Sequence, residues 1–227
     1  IPLPPLPIQH EIVRILDNFT ELTAELTAEL TARRKQYEYY RDALLTFEET
    51  ETQSQTDRQT DRRVRWVTLS ALIQQYAPDG VSYKPLGEIT AIARGVRLVR
   101  SQLAEEGKYP VYQNSMTPLG YYDQTNTPAN TVFVISAGAA GEIGYGAVDF
   151  WAADDCFIFS CPENLQSRFL YYALMCQQGY LFSRVRRASV PRLARSVIEG
   201  LIIPLPPLPI QHEIVRILDN FTELTAE

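Results

Sequence analysis

Six arginines and no acidic residue lie between Asn164 and Ile198. The guanidinium group donates two parallel hydrogen bonds, a geometry that fits phosphate oxygens and the edge of a guanine base. A run of like charge is more often only a solvated face, so DNA contact and simple solvation are both open on charge alone. Four of the arginines surround one turn, and we predict that they contact DNA: Arg184, Arg186, Arg187 and Arg192.

A second basic stretch lies upstream, and polar side chains suited to base contacts lie near predicted turns. The predicted DNA-contacting residues of these segments are Arg94, Arg97, Arg100, Asn114, Ser115 and Ser136. Base edges are recognised by short polar side chains, whereas phosphate contacts fix the orientation of the protein on the duplex.

Catalytic chemistry is not supported by the remaining residue types. The globular region contains no histidine before His212, and the other histidine is His10, so no nucleophile–histidine pair is predicted there. The glycine run 138–146 lacks the Lys-Ser/Thr of a phosphate-binding loop. It is better explained by turns between strands, and small residues there would also let the backbone approach DNA. Asp149, Asp154 and Asp155 are interpreted as a solvated strand end, and no metal site is predicted.

Composition limits the remaining function classes. The formal net charge is −6, which argues against a protein that coats nucleic acid without specificity. Three sparse cysteines do not form a disulfide framework and are interpreted as reduced thiols of a cytoplasmic protein. No apolar run is long enough to predict a membrane span. The chain begins without Met, in a proline run, and the first residue resembles a cut within a longer protein.

An internal repeat dominates the organisation of the chain. Residues 1–25 read IPLPPLPIQHEIVRILDNFTELTAE, and residues 203–227 repeat that string without a change. One whole domain fits between the copies, so two identical elements flank a single globular unit. This arrangement predicts an architecture that alternates domains with helices.

A long helix is predicted to follow the first proline run. Apolar residues are spaced 4-3-4-3-4 from Ile8, the pattern of a coiled-coil seam, and no Gly or Pro interrupts residues 8–50. The predicted subunit-interface residues are Ile12, Ile15, Phe19, Leu22 and Leu26. A tandem TAEL unit ends at Leu30 and is either ordinary amphipathic helix or a modular element that sets the length of the helix.

The predicted fold class is α+β, with a mainly β recognition domain and packed helices attached to a long coiled-coil-forming helix. The predicted segments are a proline connector at 1–7, a spacer helix at 8–50, a polar linker at 51–65, a globular domain at 66–203, and a second connector with helix start at 204–227. Predicted strands cover 109–113, 131–137, 144–150 and 155–161, and a helix is predicted for 165–184.

Several strings of the chain resemble the specificity subunits of type I restriction–modification enzymes. They are Lys84–Ile89, Tyr109–Tyr112, Gly120–Tyr121, Val134–Ser136, Phe169–Tyr171, Ser189–Leu193 and, most specific, Ile203–Gln211 with Ile214–Leu218, which is present twice. The tandem TAEL units are also familiar from this family. Together the strings cover nearly the whole chain.

The resemblance implies a non-catalytic subunit that recognises one half of a split target in double-stranded DNA. A full subunit of the family holds two recognition domains and two antiparallel spacer helices. It scaffolds two modification subunits, which use S-adenosylmethionine for adenine methylation, and restriction subunits join that core. No cofactor is expected on this chain itself.

The chain departs from that pattern because it holds one recognition domain. It is interpreted as a piece of a two-domain subunit, a half-subunit that acts as a homodimer, or a silent cassette. The alternative function is the recognition portion of a fused adenine methyltransferase, which requires an Asn/Asp-Pro-Pro-Tyr/Phe motif and a glycine cofactor loop. Neither is present in these residues.

Overall fold

The structure is a computed structural model that describes the backbone of residues 4–47 and 60–226, and side chains within 4–47 and 68–221. The end of the predicted spacer helix at 48–50 and most of the predicted polar linker, 51–59, lie outside the described residues. Helices and strands are combined around one large apolar core, as the predicted α+β class requires.

The first helix, α1, spans Leu6–Thr46 and is about 60 Å long at about 1.5 Å per residue. It begins two residues before the predicted start, because Pro7 lies in the first turn, where a missing N–H costs no hydrogen bond. Phe47 adopts a left-handed conformation with φ 46° and ends the helix, so α1 ends at Thr46, inside the predicted spacer helix 8–50.

The second helix, α2, spans Thr60–Tyr76, and residues 60–65 are therefore helical rather than part of a linker. Polar residues can extend a helix that is fixed elsewhere by packing, and here Leu69 is buried and α2 contacts the last helix of the chain. The helix ends at the turn Ala77–Gly80, where the Gly80 N–H donates to the Ala77 carbonyl and Gly80 has φ +92°.

Nine strands form three small sheets in the region between the long helices. The four-stranded antiparallel sheet has the order β2-β8-β5-β6, with β2 at Ala91–Arg94, β5 at Thr131–Ile135, β6 at Ile143–Gly146 and β8 at Cys156–Ser160. The second sheet, β4-β3-β7, comprises Gly120–Tyr122, Tyr109–Tyr112 and Trp151–Ala152. The third pairs β1, Tyr83–Pro85, with β9, Ile202–Pro204.

The predicted strands differ from the observed ones mainly at their ends. The predicted strand 144–150 is shorter in the structure, because β6 ends at Gly146 and the next strand, β7, begins only at Trp151. The glycine run forms the turn between β5 and β6, as one of the two interpretations held. Two of its glycines leave space for aromatic rings that pack against the backbone. A Cβ on Gly144 would lie 2.3 Å from the Phe133 ring, and a Cβ on Gly146 would lie 2.2 Å from the Phe150 ring.

Four further helices complete the domain and pack against the sheets. They are α3 at Leu86–Ile89, α4 at Ser167–Cys176, α5 at Gln178–Arg184 and α6 at Arg195–Glu199. The predicted single helix 165–184 is interrupted at Gln177, whose side-chain Nε2 donates to the Ile202 carbonyl at 2.6 Å. The interruption changes the direction of the chain while Leu170 and Leu181 both remain fully buried.

The last helix, α7, spans Leu208–Ala226 and contains the second copy of the repeated string. Its apolar residues Ile210, Ile214 and Leu218 are fully buried against the domain. Gln211 is buried as well, and its amide donates to the carbonyls of Asn164 and Pro206 while its oxygen accepts the Gln166 N–H at 2.8 Å. The repeated string is therefore part of the domain core at its second occurrence.

Within the described residues, no helix has both the length and the apolar character needed to cross a membrane.

Candidate nucleic-acid interface

The predicted arginine cluster is organised by a narrow hairpin between α5 and α6. Arg186 and Arg192 exchange two backbone hydrogen bonds, of 2.9 and 3.1 Å, which close the loop 187–191. The side chains of Arg186, Arg187 and Arg192 are exposed. Arg184 ends α5, and its guanidinium carbon lies 4.9 Å from the centre of the Tyr180 ring. The hairpin therefore presents several cations to solvent on a short, hydrogen-bonded support.

The hairpin is attached to the end of β5. Leu193 N–H donates to the Ser136 carbonyl at 2.8 Å, and Gly138 N–H donates to the Pro191 carbonyl at 3.1 Å. On the other side of this turn, Ala139 N–H donates to the Asn114 carbonyl at 2.9 Å. Since Gly138 has φ +80° and a Cβ there would lie 2.7 Å from the same Asn114 oxygen, only glycine fits. Asn114 is exposed beside this turn, and the hydrogen bond from Ala139 holds the Asn114 backbone against the turn.

Arg94 and two arginines about 100 residues downstream, Arg192 and Arg195, line one cavity of about 390 Å³ at this end of the sheet. We name it the arginine cavity; it is lined by Arg94, Ser136, Phe157, Arg192, Leu193 and Arg195. The sheet brings these residues together because Arg94 pairs with Phe157 across β2 and β8, and β8 pairs with β5, which Ser136 follows. Phe157 and Leu193 are buried and form the apolar part of its wall.

Two of the cavity arginines are held by their inner nitrogens. Arg94 Nε donates to the Asp154 carbonyl at 2.6 Å, and Arg195 Nε donates to Glu199 Oε1 at 2.7 Å. Among the described residues, the side chain of Arg192 has no hydrogen-bond partner, and neither do the terminal nitrogens of the other two arginines. These nitrogens are the donors that an anion in the cavity would require.

The two predicted serines have structural hydrogen bonds of their own. Ser136 is 5% exposed and its hydroxyl donates to the Asp155 carbonyl at 2.9 Å, so that donor is already used within the protein. The Ser115 hydroxyl likewise donates to the Thr117 carbonyl at 2.8 Å. Both residues shape the turns next to the exposed arginines rather than offering a free hydroxyl proton.

The rest of the upstream basic stretch follows a separate path from the cavity. After Arg94, Gly95 crosses the carbonyls of Ala152 and Ala153 so closely that a Cβ would lie 2.1 Å from one of them. Arg97 and Arg100 follow on exposed chain, with Arg100 at the start of a short 3-10 helix, Arg100–Gln102. Neither lines the arginine cavity.

Two arginines of the acid-free stretch have roles that their sequence positions do not indicate. Arg195 lines the cavity but was not among the predicted contacts. Arg168 lies over three tyrosine rings and donates to Asp219 Oδ1 at 2.9 Å, and the Tyr172 hydroxyl donates to the same oxygen. Arg168 therefore connects α4 to α7 inside the domain. Its partner lies 51 residues downstream, which no local pattern could identify.

The thiols are not available as nucleophiles. Burial raises the pKa of Cys156 to about 12 and that of Cys176 to about 12, and it also raises the pKa of Cys161. A thiol with such a pKa is protonated at neutral pH and reacts slowly, because the thiolate is the reactive form.

Asp149 also has a structural partner, since its Oδ1 accepts the Ala129 N–H at 2.7 Å.

The first copy of the repeated string has the opposite environment to the second. Ile12 is 46% exposed, whereas its counterpart Ile214 is fully buried. The other predicted interface residues are also exposed: Ile15, Phe19, Leu22 and Leu26. Only the far end of α1 packs on the domain, where the Tyr40 ring stacks on Phe221, the counterpart of Phe19, at 5.6 Å.

Known proteins resemble this chain along nearly all of its length. A family model described as type I restriction modification DNA specificity domain matches residues 1–33 and 78–227. A protein named as a type I specificity subunit from Mycoplasma pneumoniae is 28% identical over 97% of this chain and 80% of its own length. The specificity subunit of an Escherichia coli type I restriction enzyme is 32% identical over 97% of this chain and 53% of its own length.

A solved structure has the same fold. The S subunit of the type I restriction–modification system of Mycoplasma genitalium superposes with a TM-score of 0.71, at 22% identity, over 96% of this chain. This chain spans 55% of that subunit, and so about half the length of two of these three relatives. With a family model that matches both copies of the repeated string and the domain between them, the chain belongs to the family of type I restriction–modification DNA specificity domains.

Proposed function

We propose that this chain is a non-catalytic DNA-recognition unit, which binds one half of a bipartite target for a type I restriction–modification enzyme. The observation that carries the proposal is the convergence of Arg94, Arg192 and Arg195 on one cavity, beside the exposed Arg186–Arg192 hairpin. Arginine forks fit phosphates and guanine edges, and the net charge of −6 makes this local concentration of cations distinctive.

The proposed interface divides into a support and a contacting surface. The turn Ser136–Gly138 and the backbone of Asn114 form the support, and both are fixed by hydrogen bonds. The contacting surface consists of the exposed side chains around that support: Arg94, Asn114, Arg184, Arg186, Arg187, Arg192 and Arg195. We assign Arg97 and Arg100 to a neighbouring phosphate contact, because they are exposed on the chain that leaves β2. Ser115 and Ser136 act through the shape of their turns.

The affinity for DNA and its salt dependence test this interface. Replacing Arg186 and Arg187 with Ala removes up to two contacts with DNA, so the affinity is expected to fall, and the slope of log affinity against log salt flattens by about 0.9 for each of the two arginines that neutralises a phosphate. The matched control changes Arg33 and Arg34 to Ala, since these arginines are also adjacent and exposed but lie on α1, where each pairs with a glutamate. An unchanged affinity for DNA in the hairpin variant, or an equal loss in the control, would contradict the proposed interface.

We propose that α1 and α7 serve as the scaffold for the other subunits of the enzyme. The partners are two modification subunits, which carry S-adenosylmethionine and methylate adenine, restriction subunits, and an antiparallel spacer helix of the same or a second chain. The support for this part is the exposed face of α1. The apolar residues Ile12, Ile15, Phe19, Leu22 and Leu26 are 41–62% exposed on α1. On α7 the counterparts of Ile12 and Ile15, which are Ile214 and Ile217, are 0% and 5% exposed, so the apolar face of α1 lacks the cover that its copy has at these positions.

The hydrogen bonds of the two copies indicate what covers that face. Gln9 donates to the Pro4 carbonyl at 2.6 Å, as its counterpart Gln211 does to Pro206. Gln211 also bonds to Asn164 and Gln166 of the domain, and among the described residues Gln9 has no equivalent contacts. We propose that a second recognition unit, of the same or another chain, packs on α1 as this unit packs on α7. The half-subunit homodimer is one form of this arrangement.

Assembly with modification subunits tests the scaffold. Changing Ile12 and Phe19 to Asp is expected to abolish co-purification with modification subunits or a second copy, while the circular dichroism of the domain stays unchanged. The control changes Glu11 and Arg14 to Ala, on the same turns of the helix but in a surface ion pair. Normal assembly of the Ile12/Phe19 variant would refute the scaffold role of this face.

The methylated motif of cells that carry the parent gene identifies the half-site itself. We place the function in the cytoplasm, where the three free thiols stay reduced.

A further inference from the structure

We propose that the arginine cavity holds a single backbone phosphate of DNA, so that Arg94, Arg192 and Arg195 position the recognition unit on the duplex without recognising its sequence. This inference rests on the proposed DNA-binding function and divides its arginines into two groups. The cavity arginines fix the register, and the hairpin loop beyond them is left to contact the bases.

The orientation of the cavity arginines supports an anion between them. Arg94 and Arg195 are each anchored through Nε, Arg94 to the Asp154 carbonyl and Arg195 to Glu199. An arginine held at Nε keeps its terminal nitrogens as a fork in a fixed direction. Two pre-oriented forks, with Arg192 as a third donor, satisfy the several oxygens of one phosphate at little cost in side-chain entropy.

The wall of the cavity strengthens this interaction. Phe157 and Leu193 are buried apolar side chains, and Ser136 is buried with its hydroxyl bonded to Asp155. A charge next to an apolar wall is less screened by water than a charge on an open surface, so each guanidinium attracts the anion more strongly. Glu199 is the carboxylate bonded to a cavity arginine, and it occupies the inner nitrogen rather than the outer ones.

The position of the cavity identifies the source of the phosphate. Arg192 belongs both to the cavity and to the base of the Arg186–Arg192 hairpin. A duplex whose backbone reached the cavity would therefore also meet the exposed loop 187–190. A volume of about 390 Å³ accommodates a phosphodiester group with part of its sugar. The tip of the loop is short and exposed, as is required of side chains that contact base edges in a groove of DNA.

One phosphate and three arginines give a quantitative test. Each neutralised phosphate contributes about 0.9 to the slope of log affinity against log salt. The single variants Arg94→Gln, Arg192→Gln and Arg195→Gln, and the triple variant, are compared in the full chain by fluorescence anisotropy, with cognate and scrambled duplexes between about 50 and 200 mM salt. We expect the slope for the triple variant to be flatter by about 0.9 in total. Between about 50 and 200 mM salt, the triple variant should therefore lose about 3.5-fold less affinity than the wild-type chain. The same change is expected on both duplexes.

Control variants separate charge from shape and folding. The triple Lys variant keeps the charges and is expected to restore most of the slope, and Arg33→Gln on α1 is expected to change nothing. Inorganic phosphate is expected to displace DNA from the wild-type chain more strongly than chloride of equal ionic strength. The triple Gln variant should lose that difference.

The outcomes distinguish the cavity from the wider function. A slope change near 2.7 would mean three separate phosphates, and a loss confined to the cognate duplex would mean base contacts; both overturn the proposal. Normal DNA binding by the triple variant would also overturn the proposal. Inorganic phosphate that binds to the chain without displacing DNA would overturn it as well, because the cavity would then be a site for free anions. Absence of DNA binding by the wild-type chain would refute the proposed function itself.

Discussion

The two copies of the repeated string allow the energy of one helix–domain contact to be measured against an internal control. Ile214 is fully buried on α7, and Ile12, its counterpart in an identical sequence, is 46% exposed on α1. Each is to be changed to Ala in a separate variant. Because neighbouring residues are the same in both helices, the change in helix propensity and the change in the unfolded chain are close to equal. The difference between the variants therefore reports tertiary packing.

The expected magnitude follows from burial. Truncating a fully buried Ile to Ala costs about 2–5 kcal/mol, since apolar contacts are lost and a cavity remains. An exposed position changes stability by about 0.5 kcal/mol or less. We take about 3 kcal/mol for Ile214, which at a slope of about 2 kcal/mol per molar urea lowers the unfolding midpoint by about 1.5 M.

The assay is urea unfolding followed by tryptophan fluorescence, to which Trp66 and Trp151 both contribute. Each curve is repeated at several protein concentrations, because association through α1 would make the stability of the Ile12 variant depend on concentration. Equal midpoint shifts for the two variants would refute the assignment of different environments to the two copies. A shift of less than about 0.3 M for Ile214→Ala would refute the burial argument.

Three further perturbations follow from the structure. Inserting one TAEL unit after Leu30 lengthens α1 by about 6 Å, so the gap between the half-sites in the methylated motif is expected to grow by one or two base pairs; an unchanged gap would exclude α1 as the element that sets the spacing. Asp219→Asn, which weakens the ion pair between α7 and α4, is expected to cost about 1 kcal/mol in thermal unfolding, while Asp17→Asn in the other copy should cost nothing measurable. Cys156 and Cys176, whose pKa values burial raises to about 12, are expected to resist iodoacetamide at pH 8 until urea unfolds the chain. Their protonated forms favour the folded state, so stability is expected to fall as pH rises above the ordinary thiol pKa; rapid labelling of the native protein would contradict both statements.

Much of the fold was predictable because its signals are local. The strands β3, β5 and β8 are dense in β-branched and aromatic residues, and they lie where the sequence predicts strands. The short strands β1, β2, β4, β7 and β9 are not predicted, since two to four residues carry no detectable alternation. Their positions depend on pairing with distant partners, as in β1 with β9.

The sequence predicts that the candidate site is a basic surface, but it does not predict which arginines belong to that surface. The absence of acids between Asn164 and Ile198 indicates a basic surface, but it does not separate Arg195, which lines the cavity, from Arg168, which is paired inside the domain. That distinction depends on Asp219, which a different helix supplies. The burial of Ser136 was likewise not predictable, because the sheet order that surrounds it is a tertiary property.

The identical string at both ends of the domain also bears on how new specificities can arise. Any junction made within residues 1–25 or 203–227 reproduces the same amino-acid sequence on both sides of the join. The contacts of Ile210, Ile214 and Gln211 with the domain in front of them therefore survive the exchange of whatever follows the helix. Recombination between copies of this string would leave the α7 side of that interface unchanged, wherever within the string the join falls.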